Sequence, residues 1–335
     1  MSVLKQKISG LLRGLRSSPR EDELAAKLGQ AERRIAEQDR RLAELRAEGG
    51  GGVRPENVVW IFGTARTGST WLAFMMEELE TNTIWREPYV GELFGRLYSE
   101  WLGEKHAATK HFILGNTRQS WIHSIREFVL GEAAARFPNV GEDGYLIIKE
   151  PNGSVGAPLM MEALPESRLV FLVRDPRDVV ASSLDAVKKG SWLYERRVED
   201  GAGRTAMFDM QADAYVEKVA NGYAQNIGNV REAYEKHEGP KVLIKYEDLR
   251  ADTLGTMRRL YSALGIPADD GALVRAVEKH AWENVPEENK GEGKFHRKAT
   301  PGGWQEDLTP EQVETVERLT AAFLEEYYGE GKGNP

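Results

Sequence analysis

The chain has 335 residues, enough for one large domain or two ordinary ones with a full core. Its 45 Lys and Arg against 53 Asp and Glu leave a formal net charge of −8, which argues against general nucleic-acid binding. With no cysteine there is no disulfide and no thiolate metal site, and no apolar stretch approaches the roughly 20 residues that span a bilayer.

Residues 1–20 carry Lys5, Lys7, Arg13, Arg16 and Arg20 and no acid, while Leu4, Ile8, Leu11, Leu12 and Leu15 recur at helical spacing. Two readings fit this segment. One is a short interfacial helix in peripheral contact with an anionic membrane; the other is a solvated basic tail. Its apolar residues are interleaved with charge, unlike the continuous run of a secretory signal. The expected location is therefore the cytoplasm or the inner face of its membrane. From residue 21 to 48, Leu24, Leu28, Ala31, Ile35, Gln38, Leu42 and Leu45 follow the alternating steps of an a/d seam. So short a seam, with Ala and Gln on it, is either a weak coiled coil that forms a homodimer or an exposed helix. Gly49 to Gly52 reads as a flexible linker. The expected organisation is a basic segment and short helix over 1–48, a linker over 49–52 and one α/β domain over 53–335.

Val58 to Phe62 is a continuous apolar run that stops at Gly63. A loop of small residues follows, and Trp71 opens a helical pattern expected over Thr70–Glu80. A strand, a phosphate-sized loop and a helix N-terminus together turn backbone N–H groups towards an anion. The spacing Gly63-x4-Gly68-Ser69-Thr70 is close to the nucleotide P-loop, but Ser69 stands where that loop has its lysine. The loop's only cation is Arg66. Further short apolar runs are Tyr145–Ile148, Leu169–Val173 and Val242–Ile244, and helical patterns cover Val179–Lys188, Ala212–Lys236, Thr253–Leu264 and Pro310–Tyr328. The last begins with Thr309 as N-cap, Pro310 at the first helical position and Gln312 two residues later. Buried strands separated by helices imply an α/β class, a P-loop-like three-layer fold with a mostly parallel central sheet flanked by helices. Ligands of such sheets bind at the carboxyl ends of the strands.

Arg174-Asp175-Pro176-Arg177-Asp178 follows the strand at 168–173, and Ser182 stands one turn into the next helix, so Arg174 and Ser182 can reach one phosphate. Later come Tyr246-Glu247-Asp248 at a strand end, and Arg297-Lys298 ahead of Gly302-Gly303-Trp304. With the 63–70 loop, these motifs resemble in kind and order those of the sulfotransferase family that uses 3'-phosphoadenosine 5'-phosphosulfate (PAPS). The resemblance implies that Arg66, Thr67, Gly68, Ser69 and Thr70 hold the 5'-phosphosulfate. It implies that Trp71 stacks on adenine with Tyr246 nearby, that Arg174 and Ser182 hold the 3'-phosphate, and that Arg297 and Lys298 close over it. Ala299 stands where the family has glycine. The family needs no metal, and His106, His111, His123, His237, His280 and His296 form no short-spaced ligand cluster.

Sulfuryl transfer to a hydroxyl or amine needs both partners positioned, charge on the leaving phosphate neutralised, and a base for the acceptor's proton. Arg66 is the expected cation on the bridging oxygen. The family's small-molecule branch has a histidine two residues after a lysine; here Lys149 matches the lysine and Pro151 occupies the histidine's place. Glu87, in Trp85-Arg86-Glu87-Pro88-Tyr89, resembles the glutamate of the protein-tyrosine and some carbohydrate members, and is the expected base. Glu150 competes for that role, or partners Arg174 or Lys149. Lys149 is either a substrate or sulfonate contact or a solvated strand end. Arg177 and Asp178 read as local pairs. Tyr89, Phe94, Tyr98, Trp101, Trp121, Trp192, Tyr194 and Phe208 fall in the least family-like stretches and suit sugars and flat hydrophobic acceptors alike; the missing histidine and the Arg66/Glu87 pair point to a saccharide or other polyhydroxylated small-molecule acceptor rather than a phenol. A nucleotide kinase or NTPase and a non-catalytic nucleotide-binding scaffold are the alternatives. Neither accounts for the Arg174/Ser182 and Arg297/Lys298 pairs.

Overall fold

Val58–Phe62 forms β1 with all of its side chains buried. The structure, a computed structural model, describes residues 52–101, 114, 117–141, 143–199 and 207–329. The basic segment and a/d seam of residues 1–48 lie outside the described residues. β2 (Asn82–Arg86), β3 (Tyr145–Lys149), β4 (Arg168–Val173) and β5 (Lys241–Lys245) complete a parallel sheet in the order β2-β3-β1-β4-β5. Trp60 lies level with Ile148 on one side and Leu169 on the other. The described helices are α1 (Ser69–Glu77), α2 (Val90–Trp101), α3 (Arg118–Arg136), α4 (Ala157–Ala163), α5 (Pro176–Ala186), α6 (Trp192–Glu199), α7 (Ala212–Lys236), α8 (Tyr246–Ala251), α9 (Thr253–Leu264), α10 (Asp270–Lys279), α11 (Trp304–Asp307) and α12 (Pro310–Tyr328).

The strands read as unbroken apolar runs because helices cover both faces. Successive side chains still go to opposite faces. Val58, Trp60 and Phe62 join Leu146, Ile148 and Phe171 in one core, closed by side chains of α3, α4 and α7. Val59 and Ile61 join Ile147, Val170 and Leu172 in the other, under α1, α9 and α10.

α7, α9 and α12 span the residues the helical patterns mark, and α12 opens on a full Thr309/Gln312 capping box. Three differences have local causes. α5 starts at Pro176, because the Asp175 carboxylate accepts the Arg177 N–H and caps the helix three residues before the apolar pattern begins. β5 stops at Lys245, so Tyr246-Glu247-Asp248 opens α8 rather than ending a strand. β2 carries no apolar run. It is an edge strand that buries Asn82, Ile84 and Trp85 and leaves Arg86 exposed. From β1 the chain goes to one side for β2 and β3 and to the other for β4 and β5. That reversal leaves a crevice at the carboxyl ends of β1 and β4, where ligands of such sheets bind.

Candidate active site

The loop after β1 is shaped by its glycines and by one serine. A Cβ on Gly63 would lie 2.4 Å from the Leu172 carbonyl oxygen, so only glycine lets β1 and β4 run this close. The Ser154 hydroxyl accepts the Gly63 N–H (3.1 Å) and donates to the Gly63 carbonyl (2.6 Å). Arg66 (φ 71°) and Gly68 (φ 87°) both take left-handed backbone, which turns the chain sharply into α1. Tyr246 packs against Gly68 so closely that a Cβ there would be 2.6 Å from its ring. The Thr67 hydroxyl donates to the Thr64 carbonyl (2.7 Å) and braces the turn.

Arg174, at the end of β4, is fixed from several directions. The Tyr223 hydroxyl donates to its carbonyl (2.9 Å), and the next N–H, of Asp175, donates to Glu247 (3.0 Å). Its guanidinium donates from Nη1 to the Arg66 carbonyl (3.0 Å) and lies 4.3 Å from the centre of the Tyr246 ring. Its Nε is buried with no partner among the described residues. A buried cationic donor without a partner, on a residue that lines the cavity, suits an anionic ligand. The Arg66 guanidinium donates from Nε to the Ser182 hydroxyl (3.0 Å) and from Nη2 to the Phe295 carbonyl (3.3 Å), and sits over the rings of Trp192 and Phe295. Burial, and then the positive charges of Arg174 and Arg297, push its pKa down to about 10, so it remains a cation at neutral pH. Arg66 therefore reaches Ser182, and three guanidiniums from distant parts of the chain face one another.

The C-terminal cations are held by carboxylates. Arg297 donates from Nη1 to Asp307 (2.6 Å), while the Lys298 ammonium is engaged by Glu306 (2.8 Å) and Asp307 (3.1 Å). Ala299 adopts φ 50°, the left-handed backbone that a glycine would take without strain, and its carbonyl accepts from Arg250 (2.9 Å).

At the carboxyl end of β3 the Lys149 ammonium pairs with Glu87 and donates to the Thr70 hydroxyl (3.3 Å). Lys149 is buried, not the solvated strand end that its position allowed. Glu87 lies on the cavity wall with left-handed backbone (φ 47°). Glu150 pairs with neither Arg174 nor Lys149. It is fully buried, accepts the Tyr89 N–H (3.0 Å) at the entry to α2, and is not among the residues lining the cavity. Desolvation first, and the neighbouring Glu87 charge after it, raise its pKa to about 8. Nor are Arg177 and Asp178 confined to local pairs: Arg177 also reaches Glu317 (2.9 Å), and Asp178 accepts from Gly302 and Trp304.

Arg66, Gly68, Ser69, Thr70, Glu87, Arg174, Ser182, Tyr246, Arg297 and Lys298 line one cavity of about 1760 Å³, more than the roughly 300–1,000 Å³ that holds one drug-sized ligand, while Thr67 and Lys149 stand behind its wall. Trp71 is part of its wall, with Nε1 donating to the His280 carbonyl (2.8 Å) and the Arg250 guanidinium over its ring. Of the aromatics singled out for an acceptor, Tyr89 and Trp192 line this cavity. Phe94 and Trp121 are core, Tyr98 packs edge-on against Trp121, and Tyr194 pairs with Phe208. The side chain of Trp101 lies outside the described residues. Ser154 and Phe295 shape the site without a motif to mark them, and only their distant partners Gly63 and Arg66 reveal them. Asp307 is revealed by Arg297 and Lys298, and Glu247, within the Tyr246-Glu247-Asp248 motif, by the Asp175 N–H.

The description "Sulfotransferase family" belongs to the family profile that matches residues 59–270. The chain is similar to cytosolic sulfotransferase 17 of Arabidopsis thaliana, 25% identical over 211 residues, or 55% of this chain and 57% of that protein. It is also similar to cytosolic sulfotransferase 16 of the same plant, 23% identical over 192 residues, 50% of this chain and 53% of that protein. It thus spans little more than half the length of the curated relatives it matches. Among solved structures, mouse sulfotransferase SULT7A1 complexed with PAP superposes with a TM-score of 0.51 at 15% identity, covering 84% of this chain and 89% of that one. STF9 from Mycobacterium avium gives 0.50 at 15% identity, with 84% and 79% covered. At that identity the two structures speak to the shared fold alone. Among the described residues no helix is long and apolar enough to cross a membrane. The sequence match takes in both the loop after β1 and the Arg174/Ser182 turn and covers more than half of the chain, and on that ground the chain belongs to the sulfotransferase family.

Proposed function

We propose that the protein transfers the sulfuryl group of PAPS to a hydroxyl of a saccharide or other polyhydroxylated small molecule. The observation that carries this reading is a cavity lined by Arg66, Arg174, Ser182 and Arg297 beside a left-handed loop, with Arg66 Nε donating to the Ser182 hydroxyl and Arg174 Nε left as a buried donor. An adenosine bisphosphate presents two phosphates, and this arrangement offers cations for both. When bound, PAPS supplies the sulfuryl group and takes the electron pair of the breaking S–O bond away on its phosphate. Arg66 and the N–H groups of residues 67–70 neutralise that charge. Glu87 takes the acceptor's proton as the new O–S bond forms, with the Lys149 ammonium holding its carboxylate in place. Asn152, Asn221 and Gln225 share the wall with Tyr89 and Trp192, a mixture of amides and aromatic faces that suits a sugar. The same reading gives residues 1–20 peripheral contact with an anionic membrane and residues 21–48 a dimer seam.

Calorimetry with adenosine 3',5'-bisphosphate, AMP and ATP tests the nucleotide class. Binding that requires the 3'-phosphate, weakened roughly tenfold to a hundredfold by Arg174→Ala, is expected from the loss of charge-assisted hydrogen bonds of about 1.5–3 kcal/mol. Preference for ATP, or none for the 3'-phosphate, overturns the proposal.

A further inference from the structure

Asp178 stands in the first turn of α5, four residues beyond Arg174, and is fully buried. A carboxylate taken out of water must be compensated, and this one is compensated by backbone and by a cation. Its Oδ2 accepts the Gly302 N–H (2.8 Å), its Oδ1 accepts the Trp304 N–H (3.1 Å), and Arg174 Nη2 lies 3.6 Å from Oδ2. The two N–H groups are 124 and 126 residues away in the chain. One side chain thus joins the end of β4 to the start of α11.

What α11 carries gives the tie its meaning. Its last residue, Asp307, holds Arg297 at 2.6 Å and Lys298 at 3.1 Å. The position of both cations is therefore set by α11, and the position of α11 is set at its first N–H by Asp178. On the other side, Asp178 lies against Nη2 of Arg174 and the Arg66 carbonyl accepts from Nη1, which fixes the guanidinium of a residue that lines the cavity. Arg177, next in the chain, stacks 4.2 Å from the Trp304 ring and reinforces the same junction.

From this geometry we infer that Asp178 is the positioning residue that joins Arg174 and Arg297, from opposite ends of the domain, into one binding site for the ribose 3'-phosphate of the nucleotide. The inference rests on the proposed nucleotide class. Asp178 touches no ligand itself. It fixes where two cations stand, so it governs discrimination between nucleotides that carry the 3'-phosphate and those that lack it.

The test is calorimetry on the full chain, with adenosine 3',5'-bisphosphate and AMP as probes, for wild type, Asp178→Asn, Arg297→Ala and the double variant. Asparagine keeps one acceptor and the size of the side chain, but loses the second acceptor and the charge. The preference for the bisphosphate is expected to fall roughly tenfold in Asp178→Asn, with AMP affinity unchanged. Arg297→Ala is expected to add little in the Asp178→Asn background, because the cation it removes is already misplaced. A merely structural role weakens both nucleotides alike, and that outcome, or additive effects in the double variant, overturns the inference. A wild type without preference for the bisphosphate overturns the nucleotide class instead. Should Asp178→Asn fail to fold, Gly302→Ala perturbs the tie from the loop side. Its Cβ meets open space, but alanine resists the φ of 81° found there. It too must lower the preference for the bisphosphate; an unchanged preference overturns the inference.

Discussion

Two glutamates flank the carboxyl end of β3, and burial gives them different chemistry. Glu87 sits on the cavity wall against Lys149, whereas Glu150 is sealed beneath α2 with its pKa raised to about 8 from an ordinary 4.5. Between those values the folded state binds the proton and the unfolded state does not. The stability gained from the neutral Glu150 is therefore present below pH 4.5 and is lost as pH rises to about 8. Glu150→Gln should flatten that slope in thermal melts taken from pH 5 to 8, and leave turnover intact. Glu87→Gln should do the reverse: lower kcat roughly 10²- to 10⁴-fold without changing nucleotide affinity. Equal losses of turnover in both variants would return Glu150 to the list of bases. That Arg66, Gly68, Arg174 and Ser182 lie on one cavity wall was legible in the sequence, because a loop and a turn that follow adjacent parallel strands meet at the same edge of the sheet. Glu150 was misread because strand position places a residue near a site without saying which way its side chain points. Asp178 pairs locally with Arg174, as the sequence suggests, but its contacts with Gly302 and Trp304 lie across the fold and leave no local signal.

Elements were legible where one pattern decides them. The strands of the sheet interior are continuous apolar runs because both faces are covered, and β1 falls where the sequence places it. β2 was not legible, since an edge strand needs no such run. The loop at 63–70 behaves as an element in its own right, with its shape set by packing as well as by spacing. Gly68 has left-handed backbone and no room for a Cβ beside Tyr246. Gly68→Ala must move either the loop or the Tyr246 ring, and that ring also packs on Arg174. Affinity for adenosine 3',5'-bisphosphate in calorimetry should drop at least roughly tenfold, while the melting temperature shifts by only a few degrees, since the strain is confined to one turn. Unchanged affinity would mean that the loop does not hold the ligand in this conformation.

At the scale of the whole molecule, a chain of net charge −8 has a cavity whose described lining includes seven arginines. Local charge, not the overall balance, decides what such a cavity takes up. The chain divides into two units, Met1–Gly51 and Gly52–Pro335. The second contains the sheet, both cores that cover its faces, and a cavity whose described lining runs from Thr64 to Ala299. Among the described residues, both faces of the sheet are covered by helices of this same unit. A chain beginning at Gly52 should therefore fold and bind adenosine 3',5'-bisphosphate with the affinity of the full chain. The two forms should differ instead in light scattering and in sedimentation with anionic vesicles, because the seam at 21–48 and the basic residues at 1–20 are what the shorter chain lacks. A large loss of nucleotide affinity on truncation would show that residues before Gly52 complete the site. Identical association and vesicle behaviour would remove the proposed roles of the N-terminal segment and leave the nucleotide reading untouched.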